Sequence, residues 1–386
     1  MDDKDLAAAG PATFLFMVRE GPTHTIDELE PLCGLLSRRF HGELWSYGSY
    51  EADAVVGRMR IRVLKDRSSR RAVNFVTFAR AVLGRARQLG VEPRDSVVVT
   101  SYDPFKGGLL AWLASRILKG KFLCEVNGVF GNPENFSHLH SAIWRRLRVL
   151  QMRLLGSFVL RRADAVRLLF AEQLHNFVRL GSGTVVRHFM DFTNTARFLP
   201  GTEEPIILAA GYPFMVKGID LLVQAFCEIA PRHPEWKLVL IGHLIPDELR
   251  RRGIEHPQIL ALRGMPQREL AAWVGRCSIL ALASRSEAMG RVLLEAAAAG
   301  KCRIAARVGG IPTVITHDVD GFLFEKGNFQ ELARGLEYLI THDSYRRRLG
   351  AAALQRAQVE FTPDAYLELF GELVSATLAA TPSIEN

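Results

Sequence analysis

Short apolar runs alternate along the chain with longer segments whose apolar positions recur every three or four residues. The short runs predict strands near 12–18 (ATFLFMV), 43–47, 60–64, 95–101, 122–126 and 165–169. The periodic segments predict helices near 28–39, 71–89, 107–118, 139–160 and 171–180. Such alternation is the signature of parallel α/β architecture. After "DFTNTARFLPG" it restarts, with strands near 205–210, 237–241, 258–262, 278–283, 302–306 and 322–324. The intervening segments predict helices near 218–231, 245–252, 267–275, 291–299, 327–340 and 343–358, and the tail from Pro363 to Ala380 reads as one more. The restart predicts two domains, residues 1–200, joined by a C-terminal helix in 363–386, and residues 201–362. Two open α/β domains would face each other across a cleft. In such sheets ligands sit beyond the carboxyl ends of strands, so the strand-to-helix loops are where chemistry is expected.

One predicted helix carries an unusual pattern. Ile143, Leu147, Leu150, Leu154 and Phe158 fall on one face and read as its core stripe. Arg145, Arg146, Arg148 and Arg153 occupy the other, with Val149 and Met152 among them. Apolar residues inside a basic face suit a surface helix at anionic lipid headgroups through 143–162; a solvated face is the alternative.

Composition narrows the class. The 386 residues are 48% hydrophobic and 23% charged, a globular composition that suits two cores. The net charge of +8 permits nucleic acid, anionic membrane or phosphorylated small molecules as partners. Aromatic platforms other than Trp144 are missing from the arginine cluster, which disfavours nucleic acid. No apolar run approaches the roughly 18–20 residues that cross a bilayer, and "MDDKDLAAAG" is acidic where a secretory signal would be basic. Five cysteines without CxxC spacing fit a cytosolic setting and no zinc site. The expected location is cytoplasmic, with peripheral contact at the inner face of the membrane.

Three loops of the second half hold candidate chemistry. In "GYPFMVKGIDLLVQAF", Gly211 ends a strand and Lys217 lies at the next helix's N-terminus, where the macrodipole disfavours a cation. A bound phosphate would explain it; a solvated lysine is the alternative. In "SRSEAMGRVLLEAAAAG", the amides of Gly290, Arg291 and Val292 open a helix, and Arg285 and Arg291 flank them with positive charge. That is a cradle for a diphosphate. Glu287 and Glu295 would then accept hydrogen bonds from sugar and ribose hydroxyls; dipole compensation and a solvent-facing glutamate are the alternatives. "VGGIPTVI" offers two glycines before a short helix, which also reads as an ordinary turn. The D-x-D of "HDVDG" reads as turn chemistry beside Gly321.

These motifs together resemble the retaining glycosyltransferases of family 4: Glu287 and Glu295 with seven residues between, Lys217–Gly218, "GGIP" and the Asp320–Gly321 turn. The resemblance is specific over about 211–340. It is weaker, but in register, over "SYDPFKGGLLAW", "KFLCEVNG", "RRADAV" and "RHFMDFTNTARF". It implies a GT-B fold of two facing Rossmann-like domains. It further implies that Glu287 orients the donor sugar and Glu295 the ribose. Lys217 and the backbone at Met289–Gly290–Arg291 would hold the diphosphate, and Arg263, Gly264 and Met265 would contact the base. Gly211 and Tyr212 complete the donor set, and Tyr102, Asp103 and Asn127 form the acceptor side. Tyr212 stands where the family usually has arginine, Asn127 where histidine is frequent, and Thr313 where a glutamate usually follows "GGIP". Arg291, in place of an apolar residue, compensates for Tyr212 in this reading.

The resulting expectation is a metal-independent hexosyltransferase that needs no cofactor beyond its nucleotide-sugar co-substrate. Glu287, Lys217 and Asn127 are its catalytic candidates. The acceptor would be a hydroxyl of a lipid-linked saccharide or polysaccharide precursor. Two alternatives stay open: a nucleotide-sugar epimerase or hydrolase on the same plan, and a non-catalytic nucleotide-sugar-binding scaffold.

Overall fold

The structure is a computed structural model, and it describes residues 13–20, 26–68, 71–90, 96–130, 141–175 and 177–380. The chain divides into two compact units. The first is drawn from residues 1–131, 150–189 and 367–386, the second from 132–149 and 190–366.

The first unit is built on eight strands: β1 (Phe14–Val18), β2 (His41–Gly48), β3 (Ala52–Val56), β4 (Met59–Lys65), β5 (Val97–Ser101), β6 (Lys121–Val126), β7 (Ala165–Leu168) and β8 (Val185–His188). Their order is β3-β4-β2-β1-β5-β6-β7-β8. All neighbours are parallel except β3, which pairs with β4 as an antiparallel edge hairpin. The helices are α1 (Ile26–Leu36), α2 (Arg71–Leu89), α3 (Lys106–Leu118) and the later parts of α4 (Ala142–Leu160) and α12 (Pro363–Ala379), whose first residues, 142–149 and 363–366, fall to the second unit. Phe16, Val99, Phe122 and Val166 point from the sheet into a core shared with Phe78 and Val82 of α2 and Ala111 and Ala114 of α3. The central strands β1, β5, β6 and β7 are buried almost throughout, because both faces of a parallel sheet are covered.

The second unit has six strands: β9 (Glu204–Ala210), β10 (Lys237–Ile241), β11 (Ile259–Leu262), β12 (Cys277–Leu282), β13 (Cys302–Arg307) and β14 (Phe322–Glu325). Their order is β11-β10-β9-β12-β13-β14, parallel throughout. Around them lie α5 (Ile219–Ile229), α6 (Ile245–Arg251), α7 (Gln267–Arg276), α8 (Arg291–Ala298), α9 (Ile311–Val314), α10 (Phe329–Thr341) and α11 (Asp343–Glu360). Helix α5 shows why the sequence folds this way. Ile219, Leu222, Val223, Phe226 and Ile229 recur at helical spacing and all are buried, against strand residues such as Ile207, Leu240 and Ile279. Two parallel-sheet α/β units are the GT-B expectation, and the structure has them.

Three expectations fail. β3 and β8 were not foreseen; both are short, and β3 alternates half-buried and exposed positions as an edge strand does. Among the described residues of 171–180 there are turns and loop in place of a helix. The amides of Gln173, His175 and Phe177 return to carbonyls three residues back, and the Gln173 side chain is held by Leu169 N–H and by the carbonyls of Val126 and Gly128. The α4 stripe is inverted: Ile143 is 69% and Leu154 65% exposed, with Leu147, Leu150 and Phe158 exposed as well. The buried row is instead Val149, Gly156 and Val159. Gly156 decides it, because a Cβ there would come within 3.0 Å of the Phe177 ring. A glycine there lets the helix close on that ring without displacing it.

Candidate active site

In the second sheet the chain runs outward from β9 through β10 to β11, then returns to place β12 on the other side of β9. Between β9 and β12 the sheet therefore has its topological switch point, where open α/β sheets hold ligands. The loops leaving these two strands carry Lys217 and Glu287, and the Lys217 ammonium lies 2.5 Å from Glu287 Oε2. Ser284 donates to the same oxygen at 3.2 Å. Both charged side chains are largely buried yet keep some exposure, 21% and 12%.

Two glycines bring the loops this close. Gly218 takes a left-handed conformation (φ 63°) ahead of α5, and a Cβ there would lie 1.8 Å from the Ala283 carbonyl at the end of β12. Gly290, also left-handed (φ 77°), caps α8 with no side-chain acceptor, so the helix's first amides are not capped from the side chain before it. The Met289 side chain is buried, which leaves only its backbone for a ligand. Arg291 is exposed at the first position of α8.

Arg285 does not flank a diphosphate as expected. Its guanidinium forms a bidentate pair with Asp220 at 2.7 and 2.6 Å and donates to the Met215 carbonyl. A fork geometry satisfied by a carboxylate ties one loop to the other and is a poor free anion site.

Glu295 lies on the second turn of α8, buried (5% exposed) rather than solvent-facing. Burial pushes its carboxyl above the ordinary carboxylate range, opposed by Arg291, by a hydrogen bond from Gln267 and by Arg197. Around the rim, Tyr212 is 44% exposed and meets His243 edge-on at 5.8 Å between ring centroids. Arg263, Gly264 and Met265 form the loop between β11 and α7, with Arg263 paired to Asp247 at 3.1 Å. Asp320 of the D-x-D is buried and held by Arg303 and Arg356, while its Oδ1 accepts the Thr316 amide. Those partners make it a structural turn residue.

The acceptor-side residues stand at the strand ends of the first unit. Asn127 uses both ends of its amide: Oδ1 accepts from Arg167 at 3.1 Å and Nδ2 donates to the Tyr102 carbonyl at 3.2 Å. Arg167 is itself buried and paired with Glu125 at 2.8 Å. The Arg19 guanidinium lies 4.0 Å over the Tyr102 ring. Asp103 Oδ1 accepts the Phe105 amide at 2.7 Å, and burial together with the nearby Glu20 carboxyl pushes Asp103 up to about 7. Asn127 opens the loop 127–132 that the sequence places on the acceptor side, and residues 131 and 132 of it lie outside the described residues. Sequence reasoning missed Gln267, Arg197, Ser284 and Asp220. Ser284 sits only three residues before Glu287, but the other pairings join residues 28 to 70 positions apart and are made by the fold.

Comparison with known proteins bears on this geometry. Residues 192–356 match the family described as "Glycosyl transferases group 1", a range that includes the loops carrying Lys217, Glu287 and Glu295. A D-inositol 3-phosphate glycosyltransferase from a Nocardioides species is 30% identical over 188 residues, 43% of this chain and 41% of that protein. An uncharacterized glycosyltransferase from Methanocaldococcus jannaschii is 32% identical over 137 residues, 35% of this chain and 38% of that protein. The chain thus spans about two fifths of the length of the curated relatives it matches. Among solved structures, a sucrose-phosphate synthase from Thermosynechococcus elongatus superposes with a TM-score of 0.77 at 17% identity, covering 96% of this chain and 100% of that one. Anabaena HepE, solved in complex with UDP-glucose, gives a TM-score of 0.71 at 17% identity, covering 94% and 99%. These likenesses fix the fold as that of GT-B glycosyltransferases.

Proposed function

We propose that this chain, which carries a group 1 glycosyl transferase segment over residues 192–356, moves a sugar from a nucleotide-diphosphate sugar to a hydroxyl acceptor. The observation that carries the reading is the Lys217–Glu287 pair bridging the switch point of the second sheet, beside the uncapped start of α8. Lys217, Arg291 and the first amides of α8 would stabilise the departing diphosphate, the charge that develops in the transition state. Glu287, already oriented by Lys217 and Ser284, would take the hydroxyls of the donor sugar, and Glu295 those of the ribose. Arg263, Gly264 and Met265 would meet the base, with Gly211 and Tyr212 at the rim. No side chain beside the pair is placed as an enzyme nucleophile in this reading. It therefore takes departure and attack on the same face of the sugar, with retention as in family 4, a hexosyl donor, and positively charged groups in place of a metal. HepE's complex with UDP-glucose supports a nucleotide-sugar donor.

Replacing Glu287 by alanine is expected to abolish transfer while nucleotide affinity, measured by calorimetry, stays nearly intact. Equal turnover in that variant would reject the role. In the unaltered protein, rapid donor consumption without acceptor would favour the hydrolase or epimerase alternative. Binding without transfer to any acceptor would favour the scaffold.

The acceptor, in this proposal, is a lipid-linked saccharide met at the cytoplasmic face of a membrane, with Tyr102, Asp103 and Asn127 on its side. One observation supports a lipid surface. Helix α4 turns Ile143, Trp144, Leu147, Leu150, Leu154 and Phe158 to solvent. At 100° per residue Arg146 and Arg153 flank that row on one side and Arg148 on the other, which suits a helix lying in an anionic interface. No described helix is long and apolar enough to cross a membrane. The protein should co-sediment with phosphatidylglycerol vesicles and not with phosphatidylcholine vesicles. The triple variant Leu147→Ser, Leu150→Ser, Leu154→Ser should stay in the supernatant with its thermal transition unchanged. Unaltered sedimentation of the triple variant, or a wild-type dimer that the variant dissociates, would overturn the lipid assignment.

A further inference from the structure

Three segments of the second unit converge on Glu295. Gln267, the first residue of α7, donates from Nε2 to Glu295 Oε1 at 3.0 Å. Arg197, in the turn that precedes β9, donates to Gln267 Oε1 at 2.6 Å. The order of these bonds fixes the amide. A guanidinium can only donate, so Gln267 must present its oxygen to Arg197 and its NH₂ to the carboxylate. Flipped, it would set oxygen against oxygen and nitrogen against nitrogen. Among the described residues, Glu295 accepts through Oε1 alone.

We infer that Arg197 and Gln267 are positioning residues that fix the Glu295 carboxylate, leaving Oε2 aimed at the ribose hydroxyls of the donor. The inference rests on the reading of Glu295 as the ribose partner. A free glutamate on a helix samples several rotamers, and a carboxylate that must wait for its ligand loses affinity to that freedom. Here one oxygen is pinned by the Gln267 amide, which leaves the other to accept from a hydroxyl. Gln267 also directly follows the Arg263–Met265 loop and Pro266. One residue therefore links the segment proposed for the base to the group proposed for the ribose.

The test crosses protein variants with ligand variants. UDP, GDP and ADP, each beside its 2′-deoxy and 3′-deoxy counterparts, are titrated calorimetrically into the full chain. The unaltered protein should prefer one ribonucleotide over a deoxy counterpart by roughly tenfold to a hundredfold, the size of a hydrogen bond to a charged group. Glu295→Ala should erase that preference. Gln267→Ala should reduce it by at least half on a logarithmic scale while deoxynucleotide affinity holds, and Arg197→Ala, exposed and remote from the ligand, should reduce it by less. A merely structural role would weaken ribo and deoxy forms alike, so an unchanged ratio in Gln267→Ala overturns the relay. An unchanged ratio in Glu295→Ala, or no preference in the unaltered protein, overturns the ribose reading and the relay with it. Melting curves show that each variant is folded before its ratio is read.

Discussion

At the strand ends of the second sheet a cation and a carboxylate face each other over the switch point, Lys217 against Glu287. In the first sheet the corresponding place lies between β1 and β5, and there two acids flank Gly107. A Cβ on Gly107 would come within 2.9 Å of Asp103 Oδ2 and 3.3 Å of Glu20 Cβ. The two ends of one architecture are thus poised for different charges. One end holds a pair of opposite charges, and the other brings two carboxyls together beside Lys106. The difference also shows in how the key groups are held. Lys217 and Glu287 keep partial exposure and are bound mainly to each other. Asn127 is clamped between Arg167 and the Tyr102 backbone.

If that contrast is one of chemistry against support, substitution should separate the two. Lys217→Ala removes charge from the departing diphosphate and is expected to lower kcat by about a hundredfold to a thousandfold, the usual loss for one electrostatic contact to a transition state. Asn127→Ala should cost only about tenfold, chiefly in KM for the acceptor, because Tyr102 and Arg167 lose a shared partner rather than a charge. Steady-state kinetics on both variants decides. An Asn127 effect on kcat as large as that of Lys217 would put Asn127 among the reacting groups and erase the contrast.

The same contrast explains what could be read from the chain before its structure. The loops of the second sheet are legible because their close approach imposes backbone rules on the sequence. Gly218 must be glycine, since any side chain would strike the Ala283 carbonyl. Gly290 must cap α8 in a left-handed turn, and the spacing from Glu287 to Glu295 follows from a loop entering a helix. Strands buried on both faces were legible as apolar runs, so most of both sheets was found. What was not legible depends on partners far apart in sequence. Arg285 looked like an anion ligand until Asp220 took it. For Glu295 a solvent-facing alternative stayed open beside the ribose reading, because nothing near it in sequence announces Gln267. On α4, periodicity found the apolar stripe but not its direction. A small row through Gly156 and Val159 packs more closely against Phe177 and its neighbours than a row of leucines could, so the larger side chains face out.

The acidic end of the first sheet offers the gentlest test. Asp103 is pushed up to about 7 from an ordinary value of 3.8, by burial first and by the Glu20 carboxyl second, against a hydrogen bond from the Phe105 amide. Glu20 is raised too, again mainly by burial, with Lys106, Tyr47 and the Gly107 amide opposing. A carboxyl whose pKa is higher folded than unfolded holds its proton better in the native state. Its contribution is therefore fully present below about pH 4 and is lost as pH rises toward 7. Asp103→Asn keeps the shape and cannot ionise, so the fall in Tm across that window should flatten by a few degrees while the values at the acid end coincide. Glu20→Gln should flatten it too, since it removes both Glu20's own raised titration and the second cause acting on Asp103. Parallel Tm curves for Asp103→Asn and the unaltered protein would mean that Asp103 ionises as freely in the native chain as in the unfolded one, and the two switch points would then differ in charge but not in the work needed to keep it there.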